Sequence, residues 1–258
     1  MIRLSENHLS TFRDLARLGP SVDFSLIGAL ALACALPRFR RQTNDVDITT
    51  ALPLDEANAA LARLPGWSRT GRVEYEWRSA GGTLVHVFPI DASSREQGFL
   101  VWSKGGRRMS LVGMRHAFEK TNPLNVAPGV TVRSASVPAV ILMKSVAYQD
   151  RPRERERDVD DFATVMDVYI DDRDARRWAA GPGVIHEDVG AHWLGRDIAA
   201  IANDAERKSI ERFVDILRGG AALATLTRVS PPSLRANPRD VLARLEAFRA
   251  GLGSGGSA

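Results

Sequence analysis

The stretch from Phe24 to Thr50, FSLIGALALACALPRFRRQTNDVDITT, constrains the chain more than any other. An apolar run ends at Gly28, an Ala/Leu segment of helical character follows and stops before Pro37, and a β-branched run then carries Asp45 and Asp47. Successive side chains on a strand point to opposite faces, so residues two apart point the same way. Two carboxylates are therefore aimed together, an arrangement suited to a hard divalent ion such as Mg²⁺. Gly28 opens the helix, whose free N–H groups and positive dipole end can receive a phosphate. An anion seat beside a cation seat suits a nucleoside triphosphate. Each feature alone is as well read as a solvated acid pair near a turn or an ordinary helix start. Their order and closeness favour a site.

Around this stretch the pattern is mixed and then changes. Ser5 is a good N-cap for a helix with Leu9, Phe12, Leu15 and Ala16 on its apolar face, ended by Gly19 and Pro20. Residues 22–27 and 45–49 read as strands, with Arg38, Arg40 and Arg41 leading into the second. Residues 54–64 read as a helix stopped by Pro65 and Gly66. Strands over 73–78 and 83–88 are joinable as a hairpin through Ala80, Gly81 and Gly82. A strand over 99–103, a short helix over 114–120 and a strand over 130–134 complete this part. From Val137 onward the pattern is helical: 138–148 with Pro138 at its first position, 159–169, 198–217 and 238–250. The expectation is an α+β chain, a mixed β-sheet with flanking helices followed by a C-terminal helical region. Its divisions are 1–136, an α/β core with an N-terminal helix; 137–250, a helical domain; and 251–258, a disordered Gly/Ser-rich tail.

At 258 residues, 44% apolar and 26% charged, the chain can bury a core as one large or two small domains. A formal charge of +4 and a pI near 9.6 permit an anionic partner without requiring one. The single Cys34, within the Ala/Leu helix, rules out a disulfide framework and reads as core filling rather than a nucleophile. The start, MIRLSENH, has no apolar core of a signal peptide, and no run approaches the ~20 apolar residues of a membrane span. A cytoplasmic location is expected.

A second constellation lies in the helical part. Lys144 interrupts the apolar helix VPAVILMKSVAYQD on a stripe with Ile141 and Tyr148. A lysine there must reach water or meet an anion. In RERERDVDDFATVMDVY, Val159, Phe162, Val165, Met166 and Tyr169 form the core face, and Asp158 and Asp161 sit side by side next to it. Two readings stand. Asp158 caps the helix and Asp161 pairs with Lys144 or an arginine, or else Lys144 binds phosphate while Asp161 orients it or acts as a general base. The arginines at 151, 153, 155 and 157 alternate with Glu154 and Glu156 and read as a solvated surface.

These segments together resemble the polymerase-β-type minimal nucleotidyltransferases, and more narrowly the AbiEii-type toxin nucleotidyltransferases and their bacterial relatives. The residues that carry the resemblance are LIGALAL, then RQTNDVD from Arg41 to Asp47, then Lys144 in its helix and RDVDD with Asp158 and Asp161. It runs from about Phe24 to Tyr169. It implies transfer of a nucleoside monophosphate from an NTP to a hydroxyl acceptor on tRNA or protein, with Mg²⁺ as cofactor, Mn²⁺ as a substitute and an antitoxin as partner. Relatives that modify small molecules, and a non-catalytic nucleotide- or RNA-binding module, are the alternatives. The resemblance makes Asp45, Asp47, Lys144 and Asp161 catalytic, and gives NTP binding to Gly28, Ala29, Arg41, Thr43 and Lys144. Where many relatives have Ser after the glycine, this chain has Ala29. Where a third acid is common, LVHVFPID places His86. His86 is then either a third metal ligand that favours Mn²⁺ or a half-buried structural residue, and Asp91 can replace it only if the strand end curls back.

Overall fold

The computed structural model describes residues 4–19, 22–103, 105–179, 183–230 and 238–254. The chain divides into two compact units, Met1–Val140 and Ile141–Ala258. The sequence expectation of a mixed sheet with flanking helices, then a helical region, matches what the elements form.

The first unit opens with α1 (Glu6–Ala16), started by the side chain of Ser5, which accepts the His8 N–H. Its inner face differs from the apolar stripe expected. Phe12 and Leu15 are buried, but Leu9 is half-buried and Ala16 is exposed. Thr11 and Asp14 take inward places because they find partners. Thr11 donates to Ser79 Oγ at 3.0 Å, and Asp14 accepts from the Trp67 indole at 3.0 Å. Pro20, the expected stop, lies outside the described residues.

Then come β1 (Phe24–Ile27), α2 (Gly28–Ala35), β2 (Asp45–Thr50), α3 (Leu54–Leu61), β3 (Ser68–Arg69), β4 (Glu76–Arg78) and β5 (Leu84–Pro89). After α4 (Ala92–Gln97), β6 (Phe99–Val101) and β7 (Arg108–Ser110) pair as a separate hairpin. The unit continues with α5 (His116–Glu119), β8 (Thr121–Ala127) and β9 (Val130–Ala135). Seven strands among the described residues form one mixed sheet in the order β3-β4-β5-β2-β1-β9-β8. β2 is central, antiparallel to β1 and parallel to β5. The expected β4–β5 hairpin forms, with Glu76 opposite His86 and Arg78 opposite Leu84. Sequence did not reveal β8, whose TNPLNVA has Pro123 and two asparagines against it. It lies at the sheet edge, where a proline is tolerated. Asp91 does not curl back toward β5. It caps α4, accepting the Ser94 N–H at 2.7 Å.

The helix α6 (Val137–Asp150) leads into the second unit, which holds α7 (Glu156–Val168), α8 (Val189–Ile201), α9 (Asp204–Leu217), α10 (Gly220–Val229) and α11 (Pro238–Ser254). Its core is aromatic at the centre: Phe162 meets Phe213 and Phe248 edge-on at 5.2 and 5.0 Å between ring centroids. The single helix expected over 198–217 is two. α8 ends at Ile201, and Asn203 starts α9 through a capping box with Glu206. The stretch expected as a tail from residue 251 is helical through Ser254, and 255–258 lie outside the described residues. The reason is close packing of α8 against α11. A Cβ at Gly195 would strike the Phe248 carbonyl, and one at Gly251 the His192 carbonyl. Nor does Asp158 cap α7: Arg155 stands at the cap and Asp158 lies inside the first turn. No helix among the described residues is long and apolar enough to cross a membrane.

Candidate functional site

The register of β2 against β5 decides which side chains meet. Asp47 lies opposite His86, and Asp45 stands two residues earlier on the same face. One ligand atom from each of the three lies within 4.8 Å of the others. The side chains of Asp45, Asp47 and His86 are 41%, 27% and 21% exposed, so the group is open to solvent. His86 Nδ1 is 2.9 Å from Asp47 Oδ1 and 3.9 Å from Asp45 Oδ2. Thr43 donates its hydroxyl to Asp45 Oδ1. Gly28, the first residue of α2, has φ +73, and a Cβ there would collide with the Asp47 carboxylate. Only glycine lets the start of α2 approach the acid this closely.

Behind the imidazole stands a residue the sequence reading missed. His86 Nε2 meets Glu76 Oε2 at 3.3 Å. Glu76 is buried and accepts from the Thr70 hydroxyl and from Arg72 Nε, the latter at 2.9 Å. The hairpin's turn glycines and its register were the signal that could have found it, because they set Glu76 opposite His86. Tyr75 meets the His86 ring edge-on at 5.9 Å. Burial works against the imidazolium. The hydrogen bond and charge of Asp47, with Glu76 and Asp45, outweigh it and hold His86 above its ordinary value. Burial also works against charge on Asp45, but the Thr43 hydroxyl and the charges of His86 and Arg41 hold it below the usual carboxylate range.

Two carboxylates and an imidazole are a chemically sound donor set for a divalent ion: the oxygens suit Mg²⁺ or Mn²⁺, and the nitrogen favours Mn²⁺. A metal-binding histidine commonly gives its second N–H to a carboxylate, and Glu76 stands where that bond is made. The residues fit the ion.

The other residues singled out from sequence divide by place. Ala29 is buried, Arg41 is half-buried and Thr43 is on Asp45. Cys34 is half-buried rather than fully in the core, and burial pushes its thiol up to about 11, away from the thiolate a nucleophile needs. In the helical unit, Lys144 Nζ lies 2.7 Å from both Asp158 Oδ1 and Asp161 Oδ2. Desolvation opposes its charge, but the two carboxylates prevail and hold Lys144 above its ordinary value.

No protein-family model matches the chain, and no curated protein matches it significantly. Among solved structures it is similar to an antigenic nucleotidyltransferase-like protein from Paracoccidioides brasiliensis, at 15% identity and a TM-score of 0.45 over 90% of this chain and 96% of that one. It is similar to the antibiotic-resistance factor ANT(2'')-Ia at 16% identity and a TM-score of 0.36, over 57% of this chain and 76% of that one. A protein from H. pylori aligns over 98% of this chain and 97% of its own, at 11% identity and a TM-score of 0.44. Likeness at this level carries no functional argument. The function rests on this chain's own residues.

Proposed function

We propose that the chain is a metal-dependent nucleotidyltransferase that moves a nucleoside monophosphate from an NTP to a hydroxyl acceptor and releases pyrophosphate. One observation carries this reading: Asp45 and Asp47 stand side by side on β2, with His86 opposite and the start of α2 packed against Asp47 through Gly28. Asp45, Asp47 and His86 Nδ1 would hold a divalent ion, which supplies neutralisation of charge on the phosphates. Glu76 orients the His86 ring. Gly28 and Ala29 offer backbone N–H groups to the phosphates, and Arg41 and Thr43 complete the NTP contacts on the Asp45 side. In the transfer, the acceptor oxygen bonds to the α-phosphorus, the bond to pyrophosphate breaks, and the hydroxyl proton leaves to water.

The contacts of Lys144 favour a structural role over phosphate binding. Its ammonium is already met by Asp158 and Asp161, and Asp161 is held in the same pair of contacts. The resemblance of RQTNDVD to the AbiEii-type toxins extends the proposal to a tRNA or protein acceptor and an antitoxin partner, with small-molecule modification as the rival. A second reading has its own observation. An imidazolium 2.9 Å from Asp47 can stand in for the cation and leave a non-catalytic nucleotide-binding module.

The experiment is pyrophosphate release from each NTP, with total RNA or total protein as the hydroxyl acceptor and Mg²⁺ or Mn²⁺ as the ion. The enzyme reading expects turnover, greater with Mn²⁺ than with Mg²⁺, and abolished in Asp45→Asn and Asp47→Asn. His86→Asp should raise the rate with Mg²⁺. NTP binding without release under either ion would establish the binding module instead.

A further inference from the structure

A pocket of about 540 Å³ opens in the first unit along the segment that enters β2. Ligand sites of small molecules span about 300–1,000 Å³, so a nucleotide-sized compound fits. Phe39, Leu30 and Ala33 supply apolar wall, while Ser5 and His8 come from the start of α1. Arg40 and Arg41 both line it, followed by Gln42, Thr43 and Asn44. No acid lines it among the described residues, so its walls favour an anion.

Two links tie this pocket to the acid pair. Thr43, a wall residue, donates to Asp45, and the charge of Asp45 is felt at His8, another wall residue. Asp47 instead abuts Gly28. Asp47 thus rests against the first residue of α2, and Asp45 is bonded to a residue of the pocket wall. His8 is buried, and it lines the pocket with a ring that burial holds below its ordinary value. A neutral imidazole can both accept and donate a hydrogen bond.

We propose that this pocket is the acceptor subsite and takes a phosphate-bearing hydroxyl compound of nucleotide size, Arg40 meeting the phosphate and His8 and Asn44 its polar groups, while Arg41 stays with the NTP. The word acceptor rests on the nucleotidyltransferase reading; the ligand class rests on the pocket itself. Arginine serves phosphate well because its planar fork gives paired, charge-assisted hydrogen bonds.

The test is calorimetric titration of metal-free protein with adenosine 5′-monophosphate and with adenosine. The monophosphate should bind at least tenfold more tightly than adenosine. Arg40→Gln should weaken the monophosphate about tenfold, His8→Asn should weaken both compounds, and a saturating ATP–Mn²⁺ complex should leave monophosphate binding in place. Three results overturn the proposal: no binding of the monophosphate, equal binding by wild type and both variants, or displacement of the monophosphate by ATP–Mn²⁺. Displacement would give the pocket to the NTP. A protein that binds the monophosphate through Arg40 yet turns over no NTP keeps the ligand class and overturns the transferase reading.

Discussion

Gly28 and Glu76 support the acid–histidine group through different members, Gly28 through Asp47 and Glu76 through His86. Gly28 has no side chain, so Asp47 can rest against the start of α2, and Glu76 holds the far nitrogen of His86. Nδ1 donates to Asp47 as the site stands; were an ion to replace that proton, with the Nε2 proton given to Glu76, Nδ1 would offer it the lone pair a metal requires. Glu76→Gln can donate its amide to Nε2 and favour the other tautomer. Mn²⁺ affinity should then fall about 10–100-fold, read by titration of the ion without any NTP, while the urea midpoint moves little. Unchanged affinity would make Glu76 a packing residue. In the other unit, Lys144 is the shared cation of two buried carboxylates. Taking away one partner of a buried ion pair strands the others, so Lys144→Met should cost about 3–5 kcal/mol of stability. Neutralising both acids in the same variant should recover part of that. A loss of NTP affinity in Lys144→Met, measured where the protein is fully folded, would instead restore Lys144 to phosphate binding.

Among the elements, caps and close helix approaches set what each one tolerates. Asp91 starts α4 by accepting the Ser94 N–H, and that bond, against a smaller opposing effect of burial, holds its carboxyl below the ordinary range. A carboxylate with a lowered folded pKa contributes stability above its unfolded value, near 3.9, and loses it as pH falls through the folded value. Asp91→Asn keeps a capping oxygen and removes the charge. Its stability near pH 7 should be close to wild type, but its loss on acidification below about pH 5 should be smaller. Identical acid profiles would show that the ionised cap adds nothing. α8 and α11 approach through glycines, and the Cβ of an alanine would meet backbone rather than a side chain that can move. Gly251→Ala should therefore cost about 1–3 kcal/mol or more, although alanine is the better helix former. A stabilised variant would mean the two helices separate easily.

At the level of the whole molecule, a ligand that binds only the folded form raises the unfolding temperature. An ion present at a hundredfold excess over its Kd adds about 2.7 kcal/mol. Mn²⁺ should raise the melting temperature of wild type, and Asp45→Asn with Asp47→Asn should abolish the rise. Because the ion competes with the proton that His86 holds above its ordinary value, the rise should shrink as pH is lowered from 8 to about 6. A rise that survives loss of both acids would place the ion elsewhere.

Much of this protein is local, and sequence alone determined that much. Ser5 starts α1, the strand–glycine–helix–strand order of 24–50 forms, Asp45 and Asp47 share a face, and the β4–β5 hairpin closes through its glycines. Capping and side-chain period act over a few residues, so they can be read without the fold. The capping box of Asn203 and Glu206 was legible in the same way, and it is what breaks 198–217 into two helices. Only the tertiary structure decided the rest. Asp47 meets His86 across 39 residues because β5 joins β2 in parallel, a pairing with no local signature. The strand β8 forms against its own propensity because β9 offers it an edge. Gly251 stays helical because the backbone of α8 presses where a side chain would be, and Lys144 keeps its charge because α7 brings it two carboxylates. In each case a long-range contact outweighs a preference that the local sequence expresses.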